Sequence, residues 1–153
     1  MKNYLFVCSA NRLRSPYAEE WTRCYIRENR LEGDVMSAGL YLTPELAKKG
    51  IRTEVVLTEN ILKWSDMTFV MQEHMAREIA ERFPGYRGPV VSLNVPDRFS
   101  PSEVDADIPT DITYYEALEY ANTPGKRFGR RVFEKILETT VVPYLEVAKR
   151  EAV

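Results

Sequence analysis

The sequence predicts an α/β fold: a single domain built on a four-stranded parallel sheet with helices on both faces. Two observations predict it. Short apolar runs alternate along the chain with longer amphipathic segments, the pattern of successive βα units. The first apolar run ends directly at a cysteine, and a helix opens a few residues later, the strand–loop–helix order found at the rim of such a sheet. The 153 residues and their 44% hydrophobic content suit one domain around one core.

The elements follow in order. Residues 4–7, Tyr4-Leu5-Phe6-Val7, read as a buried first strand. Residues 16–29 read as a helix, with Ser15 at the N-cap, Pro16 at the first position, and Ala18, Trp21, Tyr25 and Ile26 on the apolar face. Gly33 ends the approach to a short second strand at 35–37. A helix is expected over 53–64 despite β-branched Val55 and Val56, then a third strand at 67–71. A helix over 74–83 is stopped by Pro84-Gly85, and 90–95 form the fourth strand. Residues 96–109 are irregular and rich in Pro, Asp and Ser; 113–121 read as a short helix. A long final helix spans 127–149, with Pro143 positioned to kink or split it.

Composition excludes several classes. Net charge is -2, without the basic footprint of a nucleic-acid binder, and Lys126, Arg127, Arg130 and Arg131 read as a solvated helix face. Cys8 and Cys24 are too few for a disulfide framework, which favours a reduced, cytoplasmic setting; Cys24 is expected on the first helix, facing inward. No apolar stretch approaches the ~18 residues of a membrane span, so no membrane partner is expected. His74 is the sole histidine, expected to be exposed, and no metal constellation or cofactor is indicated.

The chemistry concentrates in Cys8-Ser9-Ala10-Asn11-Arg12-Leu13-Arg14-Ser15. Backbone N–H groups of a loop feeding a helix N-terminus converge on an anion, and the same field favours a cysteine thiolate without a histidine base. Arg14 offers a planar fork matched to two phosphate oxygens. Ser15 is placed to donate to the Cys8 sulfur when it leaves, as well as to cap the helix. Asn11 tolerates a left-handed backbone and can brace the loop with its side chain. Taken singly, Cys8 is a buried core thiol and Arg14 a surface charge; their joint spacing points to catalysis.

This segment resembles the phosphate loop of the low-molecular-weight protein tyrosine phosphatases, Cys-x5-Arg-Ser followed by Pro near the N-terminus. Ser37-Ala38-Gly39 is similar to that family's second loop, and Trp64-Ser65-Asp66 with Phe69-Val70-Met71 to its third strand. Val95-Pro96-Asp97 with Phe99 resembles its general-acid loop, and Phe133-Glu134 its final helix. The resemblance covers about residues 1–99 and leaves a divergent insert at about 100–125. It implies one phosphotyrosine protein phosphatase I-like domain over 1–153, acting through a phosphocysteine on a phosphotyrosine protein or a small aryl phosphate. Departures are Ala10 for the usual glycine, Leu13 for a second cysteine, Arg12 for an apolar residue, and Arg98-Phe99-Ser100 after Asp97 for Pro-Tyr-Tyr. Gln72 also stands where the third strand normally carries a carboxylate.

A leaving oxygen needs a proton, and Asp97 after the fourth strand is the first candidate. Asp111, ahead of Tyr114-Tyr115, competes, with Asp105 and Asp107 behind it. Ser37 is placed to bond the phosphate loop, and Tyr41 and Phe99 to wall a phosphotyrosine ring. Ser9, Ala10, Asn11, Arg12 and Leu13 complete the substrate cradle. Two other readings stand beside phosphatase activity. One is a phosphate-recognition module that has lost turnover. The other is arsenate reduction, which needs further thiols where only Cys24 is available.

Overall fold

The computed structural model describes residues 2–8, 14–41, 55–95 and 130–151. The first strand, β1 (Asn3–Cys8), is buried from Tyr4 to Cys8 without alternation, so both of its faces are covered. It pairs in parallel with β2 (Asp34–Gly39) from Asn3↔Asp34 to Cys8↔Gly39, and with β3 (Met67–Val70) from Tyr4↔Met67 to Val7↔Val70. β4 (Val90–Ser92) pairs in parallel with β3. The strand order is β2-β1-β3-β4, a four-stranded parallel sheet.

The chain leaves β1 toward one edge and later proceeds toward the other. Right-handed crossovers therefore place α1 (Arg14–Glu28) on one face and α3 (Glu73–Arg82) on the opposite one. The C-terminal helix shares the α1 face: Tyr17 donates to Glu134 at 2.6 Å and Tyr25 to Glu146 at 3.1 Å. Phe69 stacks on Phe6 and meets the edge of Tyr144, which fixes that helix over the sheet. Between α1 and β2 the chain passes so close to Tyr4 that a Cβ on Gly33 would lie 2.9 Å from its ring.

Three elements differ from the sequence reading. The fourth strand, expected over 90–95, ends at Ser92 because the chain turns at Asn94 with φ 56°. The helix expected over 53–64 begins at Glu59, as α2 (Glu59–Trp64). Val55 to Leu57 instead run extended beside β2: the Gly39 N–H donates to the Val55 carbonyl at 2.8 Å, and the Leu57 N–H to the Gly39 carbonyl at 3.1 Å. Two β-branched residues favour that extended arm, and Thr58 then caps α2 by accepting from the Ile61 N–H. α1 begins at Arg14, so Ser15 lies in its first turn rather than at its N-cap.

The final helix is split, as Pro143 suggested. α4 (Arg130–Ile136) runs into a π-helical turn (Leu137–Val141) and then α5 (Val142–Glu151). Proline lacks an N–H and its ring pushes against the carbonyl four residues back. The widened turn accommodates this: the Val142 N–H reaches the Leu137 carbonyl, five residues earlier. The Thr139 hydroxyl donates to the Lys135 carbonyl in the same turn. Among the described residues no helix is long and apolar enough to cross a membrane.

Candidate active site

In an open parallel sheet the ligand crevice lies beyond the carboxyl ends of the strands, where neighbouring connections leave in opposite directions. Here that point is the end of β1. Cys8 is its last residue, held from both sides: its carbonyl accepts from the Leu40 N–H at 2.8 Å, and the Val7 carbonyl accepts from the Met71 N–H at 3.0 Å. The Cys8 side chain is fully buried, with Sγ 3.0 Å from the Oγ of Ser15. Helical side chains tilt toward the helix N-terminus, so a serine in the first turn of α1 aims its hydroxyl back at the end of β1. Residues 9–13, which hold Ser9, Ala10, Asn11, Arg12 and Leu13, lie outside the described residues.

Arg14 is 1% exposed. Its Nη1 donates to Oε1 of Gln72 at 2.9 Å and to the carbonyl of Val95 at 2.9 Å. Gln72 follows β3 and Val95 follows β4, so one guanidinium nitrogen joins two neighbouring rims of the sheet. Val95 is itself anchored, its N–H donating to the Met71 carbonyl at 2.7 Å. Asn94 turns the chain there with φ 56°, a left-handed conformation that asparagine tolerates, and its N–H donates to the Ser92 hydroxyl. The sequence marked Gln72 only as an absent carboxylate, and Val95 only as the end of the fourth strand and the start of the stretch resembling a general-acid loop. Both act through an acceptor oxygen that no sequence pattern announces.

Ser37 is buried within β2, opposite Phe6 of β1, and donates to Oε1 of Glu19 at 2.6 Å. Glu19 pairs with Arg23 at 2.9 Å, and Arg23 donates to the Val35 carbonyl, so α1 is tied to β2. Burial lowers the Arg23 pKa, but the bond to Glu19 and the charges of Glu19 and Glu20 outweigh it and hold it above the usual value. The bond expected from Ser37 to the phosphate loop concerns residues outside the described ones.

Tyr41 is 45% exposed on the rim after β2, with its ring stacked on His74, centroids 6.3 Å apart. Arg82 of α3 donates to the Leu40 carbonyl and so fastens the backbone that carries Tyr41. Burial and the nearby Glu78 raise the Tyr41 pKa against the opposing charge of Arg82. His74 is exposed, as expected. Asp97, Phe99, Asp105, Asp107 and Asp111 lie outside the described residues.

Cys24 does not face inward. It is half-buried on α1 among charged neighbours, 3.6 Å from Glu20 Oε1 and 3.4 Å from Arg27 Nη2. That thiol belongs to the helix surface, turned away from the core that holds Cys8. Among the described residues no group of three or more His, Cys, Asp or Glu is placed to hold a metal ion.

The arrangement is a buried thiol beneath a serine hydroxyl, with a guanidinium held by two acceptors at the switch point of a parallel sheet. A family model described as low molecular weight phosphotyrosine protein phosphatase matches residues 3–120. The protein-arginine-phosphatase of Bacillus subtilis (strain 168) is 30% identical over 102 residues, which is 58% of this chain and 68% of that relative. A low molecular weight phosphotyrosine phosphatase from Vibrio cholerae O395 superposes with a TM-score of 0.64 at 18% identity, covering 100% of both chains. An arginine phosphatase from Geobacillus stearothermophilus gives a TM-score of 0.54 at 19% identity, covering 95% of this chain and 97% of that one. The structural likenesses show the fold; the family match, spanning most of the sequence and including Cys8, Arg14 and Ser15, shows the lineage. The chain belongs to the low molecular weight phosphotyrosine protein phosphatase family.

Proposed function

We propose that this cysteine-based phosphatase hydrolyses phosphotyrosine or aryl phosphate monoesters through a phosphocysteine at Cys8. The observation that carries the reading is the 3.0 Å contact between Cys8 Sγ and Ser15 Oγ, next to an Arg14 whose guanidinium is held in place. The Cys8 thiolate attacks phosphorus; an S–P bond forms as the P–O bond to the leaving group breaks, and the leaving oxygen takes a proton from a carboxylic acid. Asp97 is the first choice for that acid and Asp111 the second. Water then attacks phosphorus, its proton passes to the same carboxylate, and the S–P electrons return to a thiolate held by the Ser15 hydroxyl. Arg14 holds the equatorial oxygens in both steps, with Ser9 to Leu13 supplying the N–H cradle. Ser37 steadies that cradle, and Tyr41 and Phe99 wall the substrate ring. Residues 1–153 act as one domain, with the stretch at about 100–125 as its divergent part.

A second substrate is favoured by one observation: the relative at 30% identity is a protein-arginine-phosphatase. The same nucleophile and guanidinium serve a P–N bond, with the acid protonating nitrogen instead of oxygen. Turnover of a phosphotyrosine peptide and of a phosphoarginine peptide, by wild type and Cys8→Ser, decides between them. Faster release of phosphate from phosphotyrosine, abolished by Cys8→Ser, is expected. Preference for phosphoarginine moves the substrate to the P–N class, and binding of either peptide without release leaves a recognition module.

A further inference from the structure

Gln72 stands at the N-cap of α3, a position that favours short side chains able to accept from the first-turn N–H groups. It makes no such cap. Its side chain is turned away from the helix, and Oε1 accepts from Arg14 Nη1 at 2.9 Å. The Val95 carbonyl accepts from the same nitrogen at 2.9 Å. Two acceptors from different rims leave the planar guanidinium little freedom to rotate. The acceptor from β3 is an amide oxygen, which directs a donor without carrying charge.

We propose that Gln72 is a positioning residue that orients Arg14 for the phosphoryl group while leaving the full guanidinium charge to the phosphate; this rests on the reading of Cys8 and Arg14 as the phosphate site. A carboxylate at this position orients the arginine equally well but sets a negative charge beside an incoming dianion, next to a buried guanidinium where charges interact more strongly than in open water. An amide retains the geometry and removes that repulsion. Orientation and charge are thereby separable at a single side chain, and two substitutions of similar length separate them. Gln72→Met keeps the bulk and removes the acceptor. Gln72→Glu keeps the acceptor and adds the charge.

The test is steady-state hydrolysis of an aryl phosphate together with calorimetric binding of orthophosphate, on the full chain near neutral pH. Gln72→Met is expected to lower kcat by roughly 10- to 100-fold, the scale of a misplaced catalytic group, with a smaller change in KM. Gln72→Glu is expected to hold kcat near wild type while KM and the orthophosphate Kd rise by roughly tenfold. Wild-type kcat in Gln72→Met, or an unchanged KM and Kd in Gln72→Glu, overturns the inference while leaving the phosphatase reading intact. A wild type that neither binds orthophosphate nor hydrolyses the ester overturns both.

Discussion

The sulfur of Cys8 lies 3.0 Å from the hydroxyl oxygen of Ser15, and both residues are fully buried. The last residue of a strand and the second residue of the helix after it thus meet across a loop. A hydroxyl so placed stabilises negative charge on sulfur, and that charge is greatest when the S–P bond breaks. Ser15→Ala is therefore expected to slow breakdown of the phosphoenzyme more than its formation. A hydrogen bond to a charged group contributes ~1.5–3 kcal/mol, so kcat should fall roughly 10- to 100-fold. Rapid-quench intact mass measurement should show phosphocysteine accumulating in the variant. Wild-type steady-state turnover without accumulation rules this role out.

The acid is identified by substitution and pH together. Val95, held by Arg14 and by the Met71 carbonyl, fixes the point from which the chain departs toward Asp97. Asp97→Asn is expected to lower kcat for a poor leaving group by roughly 10²–10⁴-fold and to abolish the alkaline limb of the pH–rate profile. Asp111→Asn should leave both nearly unchanged. The reverse result assigns the proton to Asp111.

Alkaline stability reports the contact between α1 and α5. Burial, followed by the hydrogen bond and charge of Glu146 and the charge of Glu138, raises the Tyr25 pKa above its ordinary 10.0. A raised folded value means that this contribution is complete below the unfolded pKa and is lost as pH rises through the folded one. Wild type should lose stability above about pH 10 more steeply than Tyr25→Phe, the two curves converging as pH rises. Urea unfolding across that range measures the difference. Parallel curves mean the hydroxyl contributes nothing to the pH dependence.

Phe69 joins the sheet to the C-terminal helix. It is fully buried, stacked on Phe6 at 5.2 Å and edge-on to Tyr144 at 5.7 Å. Phe69→Ala should cost about 3–5 kcal/mol, the range for a large core aromatic replaced by a methyl. Denaturant unfolding monitored by far-UV circular dichroism gives the value. A loss below about 1 kcal/mol contradicts the packing described, since a surface substitution costs no more than that.

Much of the fold was legible because local patterns carried it. An unbroken apolar run at Tyr4 to Val7 has only one comfortable home, the middle of a parallel sheet, and the structure places it between β2 and β3. Pro143 announced an interruption, which the π turn resolves. The stretch before α2 misled because its helical spacing continued through Val55 and Val56, while the edge of β2 offered hydrogen bonds that only an extended backbone accepts. Cys24 misled for a related reason: helical position alone does not say whether neighbouring charged side chains hold a thiol at the surface.

The sequence by itself determined the nucleophile candidate, the arginine and the serine, because they sit within eight consecutive residues whose spacing is their geometry. It also determined the order of βα units, because apolar periodicity is local. Only the tertiary structure decided what holds the arginine. Gln72 and Val95 lie 58 and 81 residues along the chain from Arg14 and reach it because β3 pairs beside β1 and β4 beside β3. A side-chain amide and a backbone carbonyl are common to every part of a chain; what makes these two oxygens matter is the sheet order that brings them to one guanidinium.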